Sequence, residues 1–154
     1  MRKRCRRRVI TPMPPRGLRP MLLPSTQRTL EIYHLENLDA IARGVATHDV
    51  LWEWAGGVLT WSRVAEVLGV GAPEMREQLE LATAVLERFR DTGRIGFTGP
   101  QYQLAKTGVM VMDQLACQVD QPAAEAAAAW SQQQVDRITA GQADGTAVLR
   151  SAVR

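Results

Sequence analysis

Thr47-His48-Asp49-Val50-Leu51-Trp52-Glu53-Trp54-Ala55-Gly56-Gly57-Val58-Leu59-Thr60-Trp61-Ser62-Arg63-Val64-Ala65-Glu66-Val67-Leu68 decides the fold. Leu51, Trp54, Val58, Trp61, Ala65 and Leu68 recur at three- and four-residue spacing, the period of one helix face. Thr47 is a good N-cap, and Asp49 in the first turn suits the helix dipole. Gly56 and Gly57 fall mid-helix, where each costs about 1 kcal/mol relative to Ala. Their presence predicts a kink or a close helix crossing. Three tryptophans fall within ten residues. Trp54 and Trp61 share the stripe and are expected in the core. Trp52 points about 160° away at 100° per residue, so it is expected either at a protein-partner surface or as cover for a neighbouring helix.

Outward from this stretch the pattern stays helical. Upstream, Ser25 or Thr26 opens a helix that ends near Arg43 with Gly44 as stop, its inner stripe read as Leu30, Tyr33, Leu38, Ile41 and Val45. Downstream, Gly69-Val70-Gly71 breaks the pattern. Pro73 fits the first turn of a third helix, with Met75, Leu79, Ala82, Leu86 and Phe89 facing inward and Gly93 at its end. Thr98 and Gln101 have capping-box spacing before a fourth helix from Gly99 to about Val119. Pro122 opens an alanine-rich fifth helix reaching about Thr139. Residues 141–154, small and glycine-containing, read as a frayed tail. The chain is therefore expected to be all-α: a compact antiparallel bundle of four to five helices over residues 25–140. The apolar set agrees, being rich in Ala, Leu and Val with 5% aromatics.

Charge is partitioned sharply. Nine of the nineteen basic side chains precede Glu31, the first carboxylate, leaving ten against sixteen acidic groups and a formal charge of −6 on residues 29–154. Residues 1–24 also hold five of the eight prolines, so they read as a basic, Pro-rich flexible arm. Arg2, Lys3, Arg4, Arg6, Arg7 and Arg8, with Arg16 and Arg19 behind them, are the candidate nucleic-acid contacts. Clustered cations neutralise phosphates and release counterions without reading sequence. The acidic body would then face another protein or a second protomer. An Arg-rich terminus that only aids solubility is the plain alternative.

Signals for chemistry are sparse. His34 and His48 lack a second His or a Cys at metal-ligand spacing, and neither a nucleophile elbow nor a phosphate-cradling glycine loop occurs. No catalytic residue, metal or cofactor is expected, and the chain reads as a non-enzymatic protein. Cys5 and Cys117 make no disulfide framework, which fits a reduced, cytoplasmic setting. No segment reaches the roughly 18–20 apolar residues of a membrane span, and no apolar run follows the basic start as a signal peptide requires.

Residues 61–80 resemble a helix-turn-helix, with Ala65 at the close approach, Gly69 at the turn, and Val70 and Met75 as buried supports. The would-be reading helix offers Glu74, Glu77 and Glu80 against Arg76 alone, and carboxylates repel phosphates. Two core helices joined by a tight glycine turn is the commoner reading.

The opening Arg2-Lys3-Arg4-Cys5-Arg6-Arg7-Arg8-Val9 and the turn Gly93-Arg94-Ile95-Gly96-Phe97-Thr98-Gly99-Pro100-Gln101 resemble small uncharacterised proteins of proteobacterial prophages, plasmids and integrative elements. Leu104, Val109, Met112, Asp113, Leu115 and Ala116 follow like the helix after that turn. The chain departs from the pattern in Gln101, where an acid is common, in its Trp-rich second helix and in its C-terminal tail. The resemblance implies a setting of mobile DNA, in which small proteins bind nucleic acid in accessory or regulatory roles, or bind and modulate a host protein. It carries no residue roles.

Overall fold

A computed structural model describes residues 20–153. Among them six α-helices follow one another: α1 Pro24–Ala42, α2 His48–Leu68, α3 Ala72–Thr92, α4 Gly99–Ala116, α5 Gln121–Thr139 and α6 Gly145–Val153. The only extended pairing among the described residues is a single antiparallel bridge, Met21 to Asp120. The described part is all-helical.

α2 is the hub, packing against all five other helices. Leu51, Trp54, Val58, Trp61 and Ala65 are all buried, as their spacing predicts, and Ala55, Leu59, Ser62 and Val64 are buried too. A helix covered on several sides needs apolar or small residues on several sides, which a one-face reading does not capture. Thr47 Oγ1 accepts from Val50 N at 3.4 Å, and Gly69 closes the helix at φ +68°.

The N-cap of the first helix is Leu23, two or three residues before the expected Ser25 or Thr26, so the helix begins at Pro24 and has no side-chain cap. Its inner face is also different. Tyr33 and Val45 are exposed, while His34, Asn37, Leu38 and Ile41 are buried. His34 occupies the inner position because Trp61 Nε1 donates to its Nε2 at 2.9 Å, which satisfies a ring that polarity alone would place outside.

The turn between α3 and α4 is tied down by Arg88. Its guanidinium donates to Gly96 O at 2.9 Å and to Gln101 Oε1 at 2.7 Å. Gln101 Oε1 also accepts from Thr98 N, and Thr98 Oγ1 from Gln101 N, so the capping box forms as the spacing predicts. Phe97 stands edge-on to Trp54, ring centroids 5.2 Å apart. The turn residues Phe97, Thr98 and Gln101 thus serve as an apolar anchor and a cap.

Residues 141–153, the described part of the stretch read as a frayed tail, depart from that reading. Asp144 Oδ1 accepts from Thr146 N at 2.8 Å and from Thr146 Oγ1 at 2.7 Å, capping α6. These bonds hold the Asp144 carboxyl below its usual pKa range. Leu149 is fully buried, and the ring of Trp52 lies against Gly145. The cap is a single Asp in a stretch of small residues, too weak a signal to mark a helix without its docking site. Among the described residues there are therefore six helices where four to five were expected.

Candidate functional site

The glycine pair of α2 makes the floor of a groove between α1, α2 and α5, with a volume of about 690 Å³. Both glycines permit close crossings. A Cβ on Gly56 would lie 3.6 Å from Val135 Cγ2 of α5, and one on Gly57 only 3.2 Å from His34 Cε1 of α1. Gly56 O accepts from Ser131 Oγ and from Thr60 Oγ1, each at 2.9 Å. Ala124, Ala128 and Ser131 form the α5 wall, and such short side chains leave the volume open. Leu30, Tyr33 and His34 line the α1 side, and Trp52 and Trp61 add aromatic surface.

Two histidines meet this groove, each accepting from an indole. His34 Nε2 takes the Trp61 N–H, and His48 Nε2 takes the Trp52 N–H at 3.0 Å, one turn apart on α2. Accepting at Nε2 leaves the proton of the neutral ring on Nδ1. Burial pushes the His34 pKa down to about 4, because a charged ring would lose its hydration. The Tyr33 pKa is shifted up, chiefly by burial and with help from nearby Glu53, against a smaller lowering influence from Asn37. Asn37 lies close to that phenol, yet its Nδ2 is buried without a hydrogen bond of acceptable geometry. Asp49, Glu53 and Glu125 line the groove, and among the described residues no lysine or arginine does. A neutral floor under an acidic rim suits apolar contact and cationic partners.

Among the described residues no group of three or more His, Cys, Asp or Glu side chains could hold a metal ion. No described helix is long and apolar enough to cross a membrane. Arg2, Lys3, Arg4, Arg6, Arg7, Arg8, Arg16 and Arg19 lie outside the described residues. Trp52 is half-buried, its indole bonded to His48 and its ring over Gly145, so it covers α6 as well as edging the groove.

In residues 61–80, Ala65 and Met75 are buried as a helix-turn-helix would require, and Gly69 and Gly71 take positive φ. Val70, read as a buried support, is 48% exposed. It sits between the two left-handed glycines, which turn it outward. Glu74, Arg76, Glu77 and Glu80 are all exposed, so α4, which packs against Gly71 and Gln78, leaves this face of α3 open. Access is not the obstacle to groove reading; the sign of the charge is.

Sequence reasoning found the glycine pair and the tryptophans but not the groove. Gly56-Gly57 was the available signal. What faces it, His34 on one side and Ser131 on the other, depends on helix pairing that local periodicity does not encode. Comparison of the chain with protein-family models, curated proteins and solved structures finds no match among any of them.

Proposed function

We propose that this chain is a non-enzymatic binding protein of a mobile genetic element, acting in the cytoplasm and contacting nucleic acid through its Arg-rich arm in an accessory or regulatory role. The observation that carries this reading is the partition of charge: nine cations and no carboxylate before Glu31, and −6 after Arg28. Six of those cations fall within Arg2–Arg8. The helices form a compact antiparallel bundle in this reading, an anionic body that repels phosphate and leaves the arm as the contact. The acidic start of α3 supports the same division, since Glu74, Glu77 and Glu80 are exposed there.

The test is a titration of fluorescent DNA and RNA with the full chain and with a variant carrying glutamine at Arg2, Lys3, Arg4, Arg6, Arg7 and Arg8. If all six meet phosphates, the logarithm of affinity falls against the logarithm of salt with a slope of about −5 on duplex DNA. The variant should lose nearly all of that slope. Equal affinity of the two chains at low salt, or an affinity indifferent to salt, would refute the reading.

A second reading is favoured by exposed Val67 and Val70 beside the carboxylates of Glu66 and Glu74. Apolar residues inside an anionic surface suit a basic protein partner, and the chain would then bind and modulate a host protein. Nuclease treatment before co-purification separates the two: a stoichiometric protein partner that survives nuclease and is lost on Val70→Glu supports this reading.

A further inference from the structure

We propose that the groove between α1, α2 and α5 is the docking site of this chain's own segment Met13-Pro14-Pro15-Arg16-Gly17-Leu18-Arg19, which places Arg2–Arg8 at the far side of a seated strap. The proposal does not depend on what those six cations contact.

The first support is where the described chain begins. Pro20 O accepts from Gln121 N at 2.7 Å, and Met21 pairs with Asp120. Leu22, Ala124 and Glu125 then line the groove itself. The upstream segment is therefore delivered to the groove's mouth at the start of α5. Gly56 against Ser131 and Val135, and Arg63 against Trp130, fix the direction in which α5 passes α2. The mouth lies toward Val64, and Asp49 and Thr139 lie at the other end.

The second support is length. From Ala124 to Thr139 the α5 wall runs about 22 Å at 1.5 Å per residue. Seven residues in the polyproline conformation cover about 22 Å. The third support is chemistry. Met13, Pro14, Pro15 and Leu18 are apolar, and proline-containing strands dock readily on aromatic-lined grooves. Arg16 and Arg19 meet a rim of Asp49, Glu53 and Glu125 to which no described lysine or arginine contributes. Tethering makes even a weak fit sufficient. A short linker gives an effective concentration of the order of millimolar, so a contact of millimolar strength is about half-formed within one chain.

The experiment places a nitroxide on Gly17→Cys in the full chain, with Cys5→Ser and Cys117→Ser, and reads paramagnetic broadening of amide signals. Gly57, Ala128 and Ser131 should lose about half their peak height or more, as a tethered contact at least half-formed requires, while Met110 keeps its own. Ala128→Trp fills the groove at an exposed position and leaves the tether unchanged, so it should restore those peaks while the helical circular dichroism holds. Equal broadening with and without Ala128→Trp would show a label that only sweeps past, and would overturn the proposal. So would no broadening, or broadening that arises only between copies in a mixed isotopic sample.

Discussion

His34 shows how a single residue is made to fit a core. Its Nε2 is satisfied by Trp61, its ring stands edge-on to that indole with centroids 6.3 Å apart, and Gly57 opposite leaves it room. The cost is paid in pH range. With a folded pKa near 4 against 6.5 unfolded, the unfolded chain binds more protons between those values. Stability from the neutral ring is therefore complete above about pH 6.5 and is lost as pH falls toward 4. Between pH 7 and 5.5, before carboxylates titrate, the loss should be about 1 kcal/mol. Urea midpoints at those two pH values measure it. His34→Gln, which keeps a polar group but cannot take a proton, should remove the dependence. An unchanged midpoint in the parent would mean that the ring takes up a proton as readily in the folded chain as in the unfolded one. The sequence places His34 on α1 but gives no sign that Trp61, 27 residues on, supplies its donor.

At the scale of elements, the glycine pair of α2 separates two effects that a sequence merges. Each glycine costs helix propensity, and both were expected to mark a kink or a close crossing. The structure shows two crossings of different tightness. Gly56→Ala would put its Cβ in ordinary contact with Val135 and Ser131, and should stabilise the chain by about 0.5–1 kcal/mol. Gly57→Ala would press on His34, which cannot retreat without losing Trp61. Its propensity gain should be cancelled or reversed. Thermal melts of the two variants decide the point, and equal gains in both would show that α1 yields freely at the crossing. Helix ends were legible where a chemical cap marks them: Thr47, Gly69, Gly93, Thr98 with Gln101, and Pro122. The face of α1 was not, because apolar spacing points to Tyr33 and Val45, while packing selects His34 and Asn37.

For the whole molecule, the question is where the cooperative unit ends. α2 reaches every other helix, so the body has one hub and no described element packs independently of it. α6 packs chiefly on α3, with further contacts to α2 and α5, and Trp52 of α2 lies across its first turn. That makes residues 145–153 part of the core although their composition suggests a loose end. Composition misled because α6 is short and contributes one large side chain, Leu149, whose value lies wholly in the site that receives it. Leu149→Ala removes a fully buried leucine and should cost about 2–4 kcal/mol, the range for leucine truncation in a core that only partly relaxes. In a frayed tail the same change would fall within the few tenths expected of surface substitutions. Chemical denaturation of the variant gives the cost, and native-state hydrogen exchange gives the cause. Amides late in α6 should exchange with the stability of α3 in the parent chain and far faster in the variant. If α6 instead exchanges near the free-peptide rate in the parent while α3 stays protected, the cooperative unit stops before Gly145.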